Sequence, residues 1–323
     1  MTRRLMGVSW TITAHATDAV VATVAVRNSL DEVERLERVL SDYDPASELS
    51  RLSAASPGCR EVGDDLWRVL ELSERFRECS NGAFDPTVGP LTALWRQSRR
   101  SGRLPDPDKL SAAREACGPA TLVLDAERRS VRLTRPGMRL DLGGIGMGFA
   151  ADAAMRMLRK EGIDSAMIDA SGDILVSGPP PGRRAWRVAV ERLRSVPLGL
   201  PAREDALSSE LTHIDLVDAA VTTSGDAYQA LEVDGVRYGH VIDPRTGLGV
   251  RGPRAVTVVA RDCTTADAAA TAACVLGPVD GLRMIDSLSG ASAMFQWVEN
   301  GRLLRKSSSD WPKETVLDRS SNP

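Results

Sequence analysis

The sequence predicts an α+β fold, with mixed strands and helices in one compact unit. Hydrophobic residues make up 42% of the 323 residues, which is enough to bury a packed core. Segments with the apolar alternation of strands recur along the chain, and segments with helical spacing lie among them. The strands outnumber the two-residue turns that a simple β-meander would need, so helices and strands must share the core.

At the N-terminus, residues 6 to 26 alternate in the manner of strands. A second β-rich run at residues 20 to 26 predicts that this region is a hairpin. Residues 29 to 40 carry apolar side chains at helical spacing, so we expect a helix there with Ser29 or Asp31 as its N-cap.

In the middle of the chain, helical spacing predicts a helix over residues 63 to 79, and small residues indicate another from 148 to 160. The polar stretch from 97 to 110 is broken by Pro and Gly and is expected to be a loop. Residues 121 to 134 indicate paired strands, and a buried strand is expected at 166 to 176.

The second half of the chain continues with a strand at residues 186 to 191 and, from 192 to 210, a stretch without periodicity that predicts an exposed insertion. The remaining predicted elements are strands near 213 to 217, 235 to 242 and 254 to 261 and a helix from 265 to about 276. We therefore expect one domain over residues 1 to 304, with room for two subdomains, and a polar, loosely ordered C-terminal tail over 305 to 323.

Composition limits the function. A formal charge of -3 and a pI near 5.8 give no global reason to bind nucleic acid, so a small molecule or a specific protein partner is expected. The N-terminus lacks an apolar run of signal-peptide length, and we expect no segment that is apolar for about 18 residues, hence a cytoplasmic protein without a membrane anchor. The five cysteines include no Cys-x-x-Cys pair, which argues against a disulfide framework and against structural zinc.

Four glycines lead into a predicted helix in the stretch LDLGGIGMGFAAD, residues 140 to 152. Glycines let backbone amides approach a phosphate, and a helix N-terminus favours negative charge. The spacing is not the G-x-G-x-x-G of a dinucleotide-binding fold, and a tight turn with close helix packing explains the glycines equally well. Alone, this segment leaves phosphate binding and packing both open.

Two further segments, VTTSGDAYQ at 221 to 229 and VDGVRYGHVIDPRTG at 233 to 247, are expected to be neighbours because Asp234 and Gly235 form a turn between them. Together they supply hydroxyl, imidazole, carboxylate and guanidinium groups, which suit a phosphoester or phosphoanhydride. The alternative is that residues 243 to 247 form only a proline-containing turn that Asp243 caps.

Asp267 and Thr271 lie one helical turn apart in the alanine-rich segment TTADAAATAACVLG, residues 264 to 277, and so share a helix face. A carboxylate and a hydroxyl are hard oxygen ligands suited to Mg²⁺. An isolated pair of this kind is more simply explained by a helix N-terminal charge and a threonine bonded to a backbone carbonyl. The metal interpretation therefore depends on the other segments.

In this order the segments resemble the FAD:protein FMN transferases, the ApbE family, and the resemblance runs from Met6 to Gly277. The matching motifs are SDYDPASELSRL at 41 to 52, GAFDPTVGPLTALW at 82 to 95, LDLGGIGMGFAAD at 140 to 152, SGD at 171 to 173 and 224 to 226, HVIDPRTG at 240 to 247 and TTADAAAT at 264 to 271.

The resemblance implies an ApbE-like fold and transfer of FMN from FAD to a threonine or serine hydroxyl of a target protein, with release of AMP. It implies Mg²⁺ held by Asp267 and Thr271, with a backbone carbonyl at Gly144 as a third ligand. Asp267 and His240 would be catalytic, His240 as the base for the acceptor hydroxyl. The implied contacts to the flavin nucleotide are Met6, Ser47, Glu48, Asp85, Thr87, Asp141, Gly144, Met147, Ser224, Asp226, His240, Asp243 and Arg245. For the turn from Asp85 to Thr87, a structural turn lock is an equal alternative.

Met147 stands where the family pattern G-G-I-x-K-G carries lysine, and Ser53 stands where asparagine is usual. The loss of an ammonium group removes a cation from the glycine turn, and Arg245 is a candidate to replace it from another direction. The change at Met147 prompts one alternative to transfer, an FAD-binding protein without transferase activity. A separate alternative is a Mg²⁺-dependent FAD pyrophosphatase, which uses water instead of a protein hydroxyl as acceptor and yields FMN and AMP.

Overall fold

The computed structural model describes residues 1 to 190, 193, 212 to 226 and 230 to 316. The strands are β1 Thr2–Leu5, β2 Val8–His15, β3 Gly58–Glu61, β4 Leu122–Asp125, β5 Ser130–Leu133, β6 Ser165–Ala170, β7 Asp173–Ser177, β8 Trp186–Val190, β9 Thr212–Leu216, β10 Ala219–Gly225, β11 Ala230–Val233, β12 Val236–Asp243, β13 Leu248–Arg251, β14 Arg254–Ala260, β15 Ser292–Glu299, β16 Arg302–Ser307 and β17 Thr315–Val316. The helices are α1 Ala19–Leu40, α2 Glu48–Ala54, α3 Asp64–Cys79, α4 Gly89–Ser101, α5 Pro107–Glu115, α6 Gly146–Lys160 and α7 Cys263–Asp286.

An eight-stranded antiparallel sheet, in the order β1-β2-β6-β7-β10-β14-β15-β16, is the centre of the fold. Helices α1, α6 and α7 share the main hydrophobic core with one face of this sheet. Strands β8 and β9 share a second core with the other face. A three-stranded sheet, β11-β12-β13, packs against α4 and α5. The predicted α+β class is therefore confirmed.

The predicted hairpin over residues 6 to 26 is wrong in its second half, because residues 20 to 26 form the first turns of α1. Asp18 caps this helix, and its carboxylate accepts hydrogen bonds from the backbone nitrogens of Val20 and Val21. Ser29, the expected N-cap, is instead buried within the helix and donates to the Ala25 carbonyl at 2.8 Å. The cap outweighs the strand preference of the valines.

Two other expectations need correction. The stretch expected to be a loop, residues 97 to 110, contains the end of α4 and the start of α5, so that only residues 102 to 106 join the two helices. The strand expected over 166 to 176 is two strands, because Ser171 and Gly172 take positive φ angles and turn the chain into a hairpin. The predicted helices at 63 to 79 and 148 to 160 and the paired strands within 121 to 134 are confirmed.

Beyond residue 304 the chain is more ordered than a loose tail as far as residue 316. Strand β16 pairs with β15 across the expected domain boundary, and β17 pairs with β9. The expected insertion at 192 to 210 lies outside the described residues, except for residue 193.

Helix α7 was not expected to be apolar enough to cross a membrane, yet among the described residues it alone has that length and composition, with a mean hydropathy of 1.3 over 18 residues. Of that stretch, 67% is buried inside the protein, where alanine residues pack against the sheet and α6. Its apolar surface thus serves the core.

Helices α6 and α7 are held close together. A Cβ atom built on Gly148 would lie 2.3 Å from the Cys263 carbonyl oxygen, so only glycine allows this approach. From α6, the Asp152 carboxylate accepts hydrogen bonds from the backbone nitrogens of Cys263 and Thr264 at 2.8 and 2.9 Å. Asp262 is the N-cap of α7, and Asp152 adds a second cap from a different helix by accepting from two further backbone nitrogens of the first turn.

Candidate active site

The first turn of α6 meets the carboxylate of Asp267. Asp267 Oδ2 accepts a hydrogen bond of 3.1 Å from the Gly148 backbone nitrogen, one of the N–H groups that has no partner within its own helix. Asp267 is only 5% exposed. This contact brings together the glycine-rich segment at 140 to 152 and the segment at 264 to 277 that contains Asp267 and Thr271. The order of these two motifs is evident from the sequence, whereas their contact is not.

One turn further along α7, Thr271 reaches the glycine turn before α6. A Cβ atom built on Gly144 would lie 2.9 Å from Thr271 Oγ1, so the Gly144 backbone passes directly beside this hydroxyl. On the sheet side, Ser224 Oγ and Thr271 Oγ1 share a hydrogen bond of 3.2 Å. The shared face predicted for Asp267 and Thr271 is therefore the face that meets Gly144, Gly148 and Ser224.

Burial raises the pKa of Asp267 well above its ordinary value, and the negative charges of Asp173 and Asp152 raise that pKa further. The hydrogen bond from Gly148 opposes the shift. Within the described part of the chain, no arginine, lysine or histidine forms a salt bridge with Asp267. An anionic Asp267 thus lacks a protein cation beside it, and a bound cation would compensate its charge.

The donor set at this position fits a hard divalent cation. It offers one carboxylate and two hydroxyls, beside a glycine turn whose backbone can approach closely. No cluster of three or more His, Cys, Asp and Glu side chains suited to a metal ion is found among the described residues. Any cation here would therefore rely on hydroxyl, carbonyl, water and phosphate oxygens, as Mg²⁺ does at nucleotide sites.

Asp141 lies just before the glycine turn. Its Oδ1 accepts a hydrogen bond of 2.8 Å from the Gly143 nitrogen, and its Oδ2 lies 3.5 Å from Arg96 Nη2. The same guanidinium pairs with Asp42 at 2.5 Å and stacks over the ring of Tyr43 with 4.0 Å to the centroid. Burial and the charge of Asp42 raise the pKa of Asp141.

Tyr43 and Arg96 received no role from the sequence. Tyr43 is 75% exposed, and the Arg96 guanidinium that stacks on one face of its ring also lies 3.5 Å from Asp141. The signal was present in the segment SDYDPASELSRL, but a lone exposed tyrosine carries no information until its neighbours are known.

Several implied flavin contacts have structural partners. Ser47 is the N-cap of α2, where its hydroxyl accepts from the Ser50 nitrogen at 3.0 Å. Glu48 accepts from the Gly63 nitrogen at 2.6 Å. Both side chains therefore hold the local backbone, and a nucleotide contact from either stays a prediction.

The turn from Asp85 to Thr87 is locked by its own side chains. Asp85 Oδ1 accepts from the Thr87 nitrogen at 2.8 Å and from the Thr87 hydroxyl at 2.6 Å. Thr87 Oγ1 in turn accepts from the Gly118 nitrogen at 2.8 Å. Burial raises the pKa of Asp85. These bonds favour the turn-lock interpretation, although Asp85 also lines a cavity of about 340 Å³ together with Arg114 and Pro244.

Asp226 holds three strands together. Its Oδ2 accepts from Arg237 Nε at 2.8 Å, and its Oδ1 accepts from the Arg254 nitrogen at 2.8 Å. A Cβ atom built on Gly252 would overlap its carboxylate, which is why glycine stands there. Both oxygens of Asp226 are thus engaged by the protein, and we expect it to position Ser224 rather than bind the nucleotide.

Asp243 and Arg245 bind each other. Asp243 accepts from Arg245 Nε at 2.8 Å and from Nη2 at 2.9 Å, and its carbonyl oxygen accepts from the Gly247 nitrogen at 2.8 Å. Trp95 Nε1 anchors the same turn through the Gly247 carbonyl at 2.8 Å. The charge of Arg245 is therefore already paired, and the turn interpretation is favoured for this segment.

Of the remaining implied residues, His240 is exposed and the two methionines are partly buried. His240 is exposed on β12, in the strand that ends at this turn. Met147 is the second residue of α6 and, like Met6 in the turn between β1 and β2, is partly buried against the main core. Met147 thus lies between Gly144 and Gly148 in the sequence, and its side chain packs partly against the main core.

Comparison with known proteins decides the family. The ApbE family is matched over residues 6 to 295. The chain belongs to the ApbE family. A Treponema pallidum protein named FAD:protein FMN transferase is 34% identical over 84% of this chain and 77% of its own length. A Vibrio cholerae protein of the same name is 29% identical over 87% of this chain and 82% of its own.

Solved ApbE structures share the fold. The flavin transferase ApbE from Vibrio cholerae superimposes with a TM-score of 0.82 and 27% identity, covering 96% of both chains. The flavinyl transferase ApbE from Pseudomonas stutzeri, in its apo form, gives a TM-score of 0.80 at 27% identity. The family resemblance and the ApbE-like fold predicted from the sequence motifs are confirmed.

Proposed function

We propose that this chain is a Mg²⁺-dependent FAD:protein FMN transferase, which moves FMN from FAD to a threonine or serine hydroxyl of a target protein and releases AMP. One observation carries the proposal: Asp267 accepts a hydrogen bond from the first turn of α6, and Thr271, which is bonded to Ser224, lies beside the glycine turn that precedes this helix. The ApbE relatives that bear the transferase name support the same chemistry.

The residues of the site would have three roles: binding the phosphates, holding the cation and positioning the nucleotide. The backbone from Gly144 to Gly148 and the N-terminus of α6 would cradle the pyrophosphate. Asp267, Thr271 and a carbonyl at Gly144 would hold the cation, whose role when bound is to neutralise negative charge on the phosphates. Tyr43, fixed by Arg96, offers an aromatic face on which a planar ring of the nucleotide would stack.

His240 would receive the proton of the acceptor hydroxyl. In the transfer, the acceptor oxygen bonds to the phosphorus of the FMN half while the pyrophosphate bond to the AMP half breaks, and AMP leaves with the bridging oxygen. The exposed position of His240 on β12 suits a base that must meet an incoming protein. A cytoplasmic acceptor remains part of the proposal.

Met147 supports a second candidate, a protein that binds FAD without chemistry, since a thioether in place of an ammonium leaves one fewer cation beside the phosphates. The third, an FAD pyrophosphatase, uses the same site with water as the acceptor. A Met147→Lys variant that gains transfer over the natural chain would favour the binding protein. A further loss would indicate a site adapted to methionine.

The test is incubation of the purified chain with FAD, MgCl₂ and a flavoprotein subunit that ApbE transferases modify. We expect the acceptor to gain the mass of one FMN residue, with AMP formed in equal amount, and Asp267→Asn to give neither. Formation of AMP and FMN without labelling of the acceptor would indicate the pyrophosphatase. FAD that remains intact would indicate the binding protein. No labelling with Mg²⁺, Mn²⁺ or Ca²⁺ would refute the transferase.

A further inference from the structure

Asp173 is a buried carboxylate that the proposed function leaves without a role. It begins β7, directly after the turn at Ser171 and Gly172, and is 8% exposed. The backbone of Thr223, on the neighbouring strand β10, donates a hydrogen bond to it. Among the described residues no salt bridge neutralises it. A buried acid with a backbone donor and no counter-charge needs an explanation.

The strand register shows which way Asp173 points. Val221 pairs with Ile174, so the next pair along β10 and β7 is Thr222 with Asp173. Directly opposed residues share a face of an antiparallel sheet, and that face repeats every second residue. Leu175 and Ala220 lie in the core shared with α6 and α7, so Asp173 and Thr222 also face these helices.

Ser224 is on that same face of β10, and its hydroxyl bonds to Thr271 on α7. Thr222 and Asp173 therefore lie on the side of the sheet that carries the candidate cation site. The negative charge of Asp173 contributes to the raised pKa of Asp267, in agreement with this placement.

Thr222 supplies the observation that points to a missing ligand. It is 1% exposed, and its hydroxyl has no hydrogen-bond partner among the described residues. A buried hydroxyl without a partner costs about 1–3 kcal/mol. The carboxylates of Asp267 and Asp173 lack a compensating charge, and the hydroxyl of Thr222 lacks a hydrogen-bond partner among the described residues. A hydrated cation between α7 and this face of the sheet would supply both the positive charge and water molecules as hydrogen-bond partners.

We propose that Asp173 and Thr222 extend the cation site of Asp267 and Thr271 as positioning residues, which bind a water molecule of the cation's hydration shell. This inference rests on the proposed function, because it needs the cation to bind at Asp267. Mg²⁺ retains several waters in protein sites, and residues that hold such outer ligands commonly change metal affinity by about 10–100-fold.

The experiment measures Mn²⁺ binding by the full chain in the presence of FAD, from the loss of the free Mn²⁺ signal in electron paramagnetic resonance. The variants are Asp173→Asn and Thr222→Val. The matched controls, Asp169→Asn and Thr223→Val, change the same residue types on the same hairpin and strand but on the opposite sheet face. We expect Mn²⁺ affinity to fall at least about tenfold in each variant and to be unchanged in the controls.

Thermal unfolding supplies a readout that a purely structural role would not give. Thr222→Val removes an unsatisfied hydroxyl, so we expect the Tm without cation to rise while the further rise caused by Mn²⁺ becomes smaller. If Asp173→Asn does not fold, the Thr222→Val variant still tests whether this part of the sheet contributes to cation binding.

The outcomes separate the inference from the function beneath it. If Asp267→Asn loses Mn²⁺ but Asp173→Asn and Thr222→Val bind it as tightly as the natural chain, the inference is wrong and the cation site stands. If the natural chain binds no Mn²⁺ with FAD present, the cation site fails and the inference fails with it.

Discussion

The carboxylate of Asp267 accepts a hydrogen bond from the backbone nitrogen of Gly148, 119 residues earlier in the chain, at 3.1 Å. The bond is possible because Gly148 lets α6 approach the first turn of α7 and because Asp152 caps α7. The same two helices therefore build the core and set the distance between the glycine turn and the candidate cation ligands.

We expect Asp267→Asn to keep the fold and lose the activity. The amide oxygen can still accept from Gly148, whereas the cation loses the one charged group among its three proposed protein ligands, Asp267, Thr271 and the Gly144 carbonyl. A metal that contributes several kcal/mol to the transition state makes the expected loss of the transfer rate more than about 100-fold. The rate of acceptor labelling measures this, and a Tm equal to or above that of the natural chain shows that folding is intact. A labelling rate within threefold of the natural chain would contradict the assignment.

Alanine at three glycines should separate packing from chemistry. Gly148→Ala places a methyl group 2.3 Å from the Cys263 carbonyl, so we expect a loss of about 1–3 kcal/mol in the free energy of unfolding. In Gly144→Ala the added methyl group would lie 2.9 Å from the Thr271 hydroxyl oxygen. We expect this substitution to lower the rate of FMN transfer more than the free energy of unfolding.

Gly146→Ala is the matched control for both substitutions, because its methyl group would meet the nearest side-chain atoms at an ordinary 4.0 Å. Urea unfolding and labelling rates of the three variants give the comparison. Equal behaviour of the variants at residues 144 and 146 would argue against a close approach of the glycine turn to Thr271.

The interhelical cap predicts a stability order for two aspartates. Asp152→Ala removes acceptors for two backbone nitrogens and the Thr264 hydroxyl, and we expect a loss of about 2 kcal/mol in the free energy of unfolding. Asp262→Ala removes only the local bond from the Thr265 nitrogen and should cost about 1 kcal/mol. Chemical denaturation of both variants tests the order, which would be reversed if Asp152 were not the main cap.

Asp85 predicts a pH dependence of stability. Burial raises its pKa above the ordinary value of 3.8, so the folded state retains a proton that the unfolded chain releases. The stabilisation of the folded state by the proton on Asp85 is fully present below a pH of about 4, and it is lost as pH rises through the raised pKa. The free energy of unfolding of Asp85→Asn should therefore improve relative to that of the natural chain as pH rises from about 4 through the raised pKa of Asp85. A difference between the two proteins that does not vary with pH would refute this.

Local patterns were enough to predict the helices at 63 to 79 and 148 to 160, because apolar spacing and small residues act within one element. They failed at residues 20 to 26, where valines favour a strand but the Asp18 cap starts a helix. The prediction of a single buried strand over 166 to 176 was also wrong, because a two-residue turn at Ser171 and Gly172 reverses the direction of the chain.

The sequence by itself determined the order of the motifs, the pairing of Asp267 and Thr271 on one helix face, and through these the family. Only the tertiary structure showed that Asp226, Asp243 and Arg245 already have protein partners, that Arg96 stacks on Tyr43, and that Asp173 and Thr222 lie on the sheet face that packs against α6 and α7. The reason is physical. Helical spacing is a property of neighbouring residues, whereas the charge and hydrogen-bond partners of a side chain depend on residues that are distant in the chain and meet only when the sheet and helices pack.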